Sequence, residues 1–311
     1  MRWLMTPLLL CACTTGSTDK ETRDEVNQST ETNSYSDDVE TGLLSNTLEH
    51  DNETREYLLY VPDSYDPSTS HPVMLSFHGG TGTAEAQMYT SDMRSLADAE
   101  GFLLIYPQAL DSEFGTIWNT LIDGAIDDNK IDFDDFGFVE NLLDTAGETY
   151  NVDDQRVYAT GYSNGAGLAY SLACHLNQRI AAIAPVSGLM WDAAADNCTL
   201  SHPTSVLILN GSNDNERPLD GYPGYMMSVD DTVSYWTDHN NINSAASTSS
   251  FQDSGDTIEH SVYSGGDNGS RVEYYKVIGG GHDWFGNDFN GQNLNELIWD
   301  FVSQHDLNGA R

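Results

Sequence analysis

The chain has 311 residues, 39% of them hydrophobic, and a mean hydropathy of −0.45. That is enough apolar material for the core of one large α/β domain, and no apolar run is long enough to span a membrane. Twelve basic against 49 acidic residues give a formal charge of −37, so the chain has no positive patch with which to displace counterions from nucleic acid, and a nucleic-acid partner is excluded. Residues 51–311 alone keep −31, which makes the folded surface acidic and points to a saline working environment, where such a surface is screened.

The first residues, MRWLMTPLLLCAC, place one positive charge before a short apolar stretch and small residues, the layout of an export signal. Leu10-Cys11-Ala12-Cys13 resembles a bacterial lipobox, with Cys13 as the residue that would take the lipid and tether the protein to a membrane; an ordinary cleaved signal is the alternative. Residues 14–45 are dominated by Thr, Ser, Asp, Glu and Asn and cannot bury enough surface to offset the entropy of ordering, so they are expected to form a disordered acidic linker. The catalytic domain is then residues 46–311. Beyond the signal only Cys174 and Cys198 remain, an even pair in an exported chain, which predicts one disulfide.

Short apolar runs closed by Pro, Gly or His at 57–61, 73–77 and 102–106 have the pattern of buried strands. Residues 84–99 have helical spacing. VYATGY (157–162) runs into Ser163 and the small-residue segment AGLAYSLAC, a strand passing into a helix. Further strands are expected at 180–186, 205–210 and 272–277, and helices near 230–238 and at 295–304. The polar, Gly-rich stretch 240–270 is expected to be a surface excursion, with a hairpin around IEHSVY as an option. Alternating strands and helices predict a mostly parallel doubly wound sheet with helices on both faces, in a single domain, with reactive groups at the carboxyl ends of the strands.

Four of those strand ends carry chemistry. Gly161-Tyr162-Ser163-Asn164-Gly165 is a G-x-S-x-G turn between strand and helix, the arrangement that exposes a nucleophilic serine at a helix N-terminus. The strand at 73–77 ends in His78-Gly79-Gly80, from which the amide of Gly80, together with that of Asn164, would stabilise an oxyanion. Asp214 follows the strand at 205–210, and His282 follows Gly279-Gly280-Gly281. The order Ser, Asp, His is that of an α/β-hydrolase, in which the imidazole deprotonates the serine and a carboxylate holds its tautomer. Glu216 and Asp220 compete for the acid role but lie farther from the strand end.

With these motifs the chain resembles the polyhydroxybutyrate depolymerase-like esterases, a group related to feruloyl and acetyl xylan esterases. The matching segments include PVMLSFHGGTGTAEAQ, the run from Asp134 to Cys174, and GGGHDWFG, which together cover most of residues 71–290. The resemblance implies a triad of Ser163, Asp214 and His282. The chain departs from the family where Val-Pro is usual after the acid, having Arg217-Pro218, and where Trp-Pro-Gly is usual after the histidine, having Trp284-Phe285-Gly286. Trp284 is taken as substrate-facing, whereas Trp118, Tyr162 and Phe285 are assigned to packing.

No cofactor or metal is implied, because the aspartates at 127, 128, 132, 134 and 135 lack the Gly and terminal Glu of a calcium loop. The expected partner is a small-molecule or polymeric ester and the expected state a monomer. A short-chain polyester or hydroxyalkanoate oligomer is the first substrate reading, and a feruloyl or acetyl ester on plant polysaccharide the second. A peptidase on the same fold and a non-catalytic surface lipoprotein that binds a ligand are the readings from other classes.

Overall fold

The computed structural model describes Tyr35, residues 39–122 and residues 131–311. The export signal, Cys13, most of the linker, and Asp127 and Asp128 lie outside the described residues. The described residues form one compact unit.

The chain opens with strands β1 (Gly42–His50), β2 (Glu53–Val61) and β3 (His71–Phe77), then helices α1 (Ala84–Thr90) and α2 (Arg94–Glu100) and strand β4 (Leu103–Pro107). A small hairpin of β5 (Asp111–Ser112) and β6 (Gly115–Thr116) leads to α3 (Asp135–Thr149), β7 (Val152–Tyr162), α4 (Asn164–His175), β8 (Ala182–Val186), α5 (Asp192–Asp196) and β9 (Ser205–Gly211). Helix α6 (Val229–His239), the strands β10 (Ser247–Asp253), β11 (Asp256–Tyr263) and β12 (Val272–Ile278), α7 (Leu294–Val302) and a terminal pair β13 (His305–Asp306) and β14 (Gly309–Ala310) complete it. The ten-stranded sheet has the order β1-β2-β4-β3-β7-β8-β9-β12-β11-β10. From β4 to β12 neighbours are parallel, and both flanks are antiparallel.

Strands β3, β4, β8 and β9 are buried along their whole length because helices cover both faces, and the two-residue period sorts their side chains. Val73, Leu75 and Phe77 of β3, with Val206 and Ile208 of β9, face the cluster built on α3, α4 and α6. Met74, Leu104, Leu207 and Leu209 face the cluster built on α1, α2 and α7.

Three expectations need correction. Strand β1 begins at Gly42, so the folded domain starts before residue 46; as an edge strand paired only with β2, it needs little apolar content. The helix expected over 84–99 is two helices. In the break, the Tyr106 hydroxyl donates to Ser91 O at 3.0 Å and accepts from Met93 N at 3.4 Å, replacing the helical ladder there. The 240–270 excursion is largely sheet: β10 and β11 form a hairpin closed by Ser254-Gly255, both at positive φ as a two-residue turn requires, and β11 extends the sheet from β12.

Candidate active site

Ser163 stands between β7 and α4 with φ 55° and ψ −113°, a strained conformation that lifts its side chain out of the strand-to-helix turn. The flanking glycines are needed for close approach. A Cβ at Gly161 would strike the carbonyl of Gly165, and one at Gly165 would strike Phe77 O, because the elbow folds onto the end of β3. Ser163 N donates to Val186 O at 3.0 Å, which ties the elbow to β8.

Asp214 lies just past β9 in a turn whose side chain is fully buried. Its Oδ1 accepts the amides of Glu216 at 2.8 Å and Arg217 at 2.7 Å, leaving Oδ2 to accept from His282 Nδ1 at 2.7 Å. Because an ionised carboxylate only accepts, the pair fixes the proton on Nδ1 and leaves Nε2 as the basic atom. Of the three candidate acids Asp214 is the one so engaged. Glu216, exposed, has Oε2 3.8 Å from Nε2, and Asp220 lines a separate surface depression.

The His282 ring packs on Tyr162, the neighbour of Ser163, at 4.9 Å between centroids. The Tyr162 hydroxyl donates to His282 O at 2.7 Å, and burial, followed by the charges of Asp283, Glu216 and Asp214, pushes its pKa up to about 12, so it stays a donor. The Ser163 hydroxyl makes no hydrogen bond to the imidazole here, as is common before substrate tightens such a site.

Opposite the elbow, the loop after β3 is held by His78, whose ring is buried between Gly79 O, 2.7 Å from Nδ1, and Ala109 N, which donates to Nε2 at 3.1 Å. Burial, opposed by the hydrogen bond to Gly79, lowers its pKa to about 4, and the neutral ring anchors the loop. The Thr81 amide is taken by Thr116 O, whereas Gly80 sits against Asn164, whose amide opens α4 and has no intrahelical acceptor. The Asn164 side chain accepts from Trp118 N at 2.7 Å and so pins the wall of the site.

Ser163, Gly80 and Asn164 open into a cavity of about 610 Å³ walled by Trp118, Trp191, Tyr222 and Tyr225, with Phe114 at its rim and Arg217 on its side. Trp284 is absent from that lining. Its indole packs with the α7 cluster and donates to Asn295 at 3.1 Å, since the loop after His282 turns back toward α7; this corrects its assignment as substrate-facing. Trp118 is both buried and a wall residue. The sequence reading missed Trp191, Tyr222, Tyr225 and Phe114. The one signal was the aromatic pair flanking Pro223-Gly224 soon after the acid.

A disulfide joins Cys174, at the end of α4, to Cys198 beyond α5. The acidic residues near 134 are structural: Asp134 caps α3, and Asp135, fully buried, pairs with Arg55 and accepts the Asn119 amide at 2.7 Å. Among the described residues, no group of His, Cys, Asp and Glu side chains is arranged to hold a metal ion.

The strand order, the helices on both faces and the serine elbow between strand and helix define an α/β-hydrolase. The model of the family described as esterase PHB depolymerase matches residues 55–206, a span that holds the elbow and the Gly80 loop and ends before Asp214 and His282. Over that span, just under half of its length, the chain is similar to the polyhydroxybutyrate depolymerase-like esterases of that superfamily.

Among curated relatives, the bifunctional acetylxylan esterase/xylanase of Neocallimastix patriciarum is 27% identical over 258 residues, 82% of this chain and 34% of the relative. Feruloyl esterase B of Piromyces equi is 24% identical over 263 residues, 81% of this chain and 46% of the relative. The chain thus spans between a third and a half of the length of these relatives. Its fold is similar to that of an acetyl xylan esterase from Aspergillus awamori, with a TM-score of 0.58 at 19% identity over 78% of this chain and 94% of the other. It is also similar to a feruloyl esterase module from Clostridium thermocellum, with a TM-score of 0.55 at 14% identity over 84% and 86%.

Proposed function

We propose that the protein is an exported serine hydrolase of carboxylic esters acting through an acyl-enzyme. The observation that carries this reading is the hydrogen bond of buried Asp214 to His282 beside the strained Ser163 elbow. In the proposed reaction Ser163 Oγ attacks the ester carbonyl while its proton passes to His282 Nε2. Amides of Gly80 and Asn164 stabilise the oxyanion, at about 3 to 4 kcal/mol per donor in comparable enzymes. The imidazolium returns the proton to the departing alcohol as the tetrahedral intermediate collapses. Water, deprotonated by the same nitrogen, then releases the acid and restores Ser163.

For the substrate we favour an acyl group esterified to plant polysaccharide. An open aromatic cavity suits a flat acyl ring or a sugar face, and the relatives include an acetylxylan esterase and a feruloyl esterase. A short-chain polyester is the second reading, supported by the description of the matching family. Export is supported by the N-terminal signal pattern and the disulfide, and attachment through Cys13 stands as part of the same proposal.

The test is turnover of p-nitrophenyl acetate and butyrate, methyl ferulate and a hydroxybutyrate oligomer by residues 39–311 and by Ser163→Ala. Turnover by the parent with loss of at least about 10³-fold in the alanine variant is expected. A folded parent with no activity toward any of the four would leave the binding-lipoprotein reading standing.

A further inference from the structure

Positive charge is scarce in this molecule, with 12 Lys and Arg against 49 Asp and Glu, and most of the described part is committed. Among the described residues Arg55, Arg94, Arg156, Arg179 and Arg271 each pair with a carboxylate, and Lys276 lies 3.6 Å from Glu259. Among the described residues no carboxylate lies within ion-pair distance of Arg217, and the C-terminal Arg311 is the one other described Lys or Arg without such a partner. Arg217 lies in the wall of the cavity that holds Ser163. Its backbone amide holds Asp214, and Nη1 donates to Glu216 O at 2.7 Å, a neutral acceptor. Arg217 is a half-buried residue whose guanidinium is oriented by that one contact and left with most of its five donors free.

A carboxylate on the substrate would meet those free donors with charge-assisted, bidentate hydrogen bonds. We propose that Arg217 is a specificity residue that binds a carboxylate carried by the substrate near its scissile ester. Two chemistries present that group: the free acid end of a hydroxyacid oligomer, and a uronate beside an esterified sugar. This rests on the esterase reading. It makes the cavity selective for monoanions in a protein whose overall charge of −37 repels them, so that recognition is local while the long-range field is adverse. Glu216, lining the same cavity, would stand against a second negative charge and favour one carboxylate over two.

The experiment compares kcat/KM for mono-p-nitrophenyl succinate, an anion, with p-nitrophenyl butyrate, neutral and of similar length. Both are run in 1 M NaCl, where the screening length of about 3 Å leaves only close contacts. The wild type is expected to use the anion at least as well as the neutral ester. The ratio of anionic to neutral kcat/KM is expected to fall about tenfold in Arg217→Gln and to be largely restored in Arg217→Lys, in line with a hydrogen bond to a charged group.

A wild-type ratio below about one tenth, or a ratio unaltered by Arg217→Gln, overturns the inference while leaving the esterase reading intact. Absence of turnover on both of these esters and on the four of the earlier panel overturns both. A hydroxybutyrate trimer and an acetylated glucuronate, each against its methyl ester, then separate the two sources. Preference for the acid over its methyl ester in one pair names the source, and no preference in either overturns the proposal.

Discussion

The Asp214 side chain has no exposed surface, and among the described residues the groups that compensate it are two backbone amides and the His282 N–H. Replacing it by Asn keeps the shape but puts an amide donor or a neutral oxygen where the imidazole needs an ionised acceptor. Asp214→Asn is expected to lower kcat by about 10⁴-fold with the fold retained, measured on any ester the parent accepts; a loss below tenfold would move the acid role elsewhere. The placing of Ser163, Asp214 and His282 was legible in the sequence because each lies within a few residues of a strand end and in the order this fold uses. The cavity walls were not, because Trp191, Tyr222 and Tyr225 come from loops whose mutual approach no local pattern encodes.

His78 belongs to the same scale and yields a pH prediction. Burial holds its folded pKa at about 4, below the ordinary 6.5, and His175 and His305 are lowered to the same value mainly by burial. Between those limits the unfolded chain binds more protons than the folded one, so stability from these rings is fully present above pH 6.5 and is lost as pH falls toward 4. A denaturation series over that window should show the loss, on the order of 3 kcal/mol at most for His78. His78→Gln, which cannot be protonated, should flatten part of the slope.

At the scale of elements, the fully buried strands were readable as unbroken apolar runs, since a strand covered on both faces has no polar side to alternate. What escaped was whatever depends on a distant partner. The interruption of the first helical segment is made by the hydroxyl of Tyr106, from a strand later in the chain, and β1 exists only because β2 pairs with it. The end of α4 is a further case. Its last turn is joined through Cys174 to Cys198, 24 residues on, which restrains the helix that begins at Ser163. The double variant Cys174→Ala, Cys198→Ala is expected to lose about 3 kcal/mol against urea while retaining ester turnover at low temperature, because the bridge lies at the opposite end of α4 from the nucleophile. Loss of turnover without loss of stability would show that the bridge positions the elbow.

Across the whole molecule two electrostatic demands pull in opposite directions. The net charge of −37 means that carboxylates repel one another in the compact state more than in the expanded chain. Asp192 shows the effect: its pKa is raised by burial and then by Asp196 and Asp231. A carboxyl group raised in this way binds protons more readily when folded, so acidification stabilises the protein through its surface while destabilising it through the buried histidines. Salt acts on only one side of this balance. It shortens the screening length from about 30 Å at 0.01 M to about 3 Å at 1 M, which weakens the surface repulsion and leaves the desolvation of His78, His175 and His305 unchanged. The unfolding midpoint at pH 7 should therefore climb with NaCl and KCl alike, and the pH of maximum stability should move upward as salt is added, because the histidines then dominate the slope. Midpoints recorded from 0.05 to 2 M at several pH values test both parts. A midpoint indifferent to salt would remove the saline reading of the acidic surface, and an optimum that stays fixed while the midpoint climbs would mean that the carboxylates near Asp192 do not carry the repulsion.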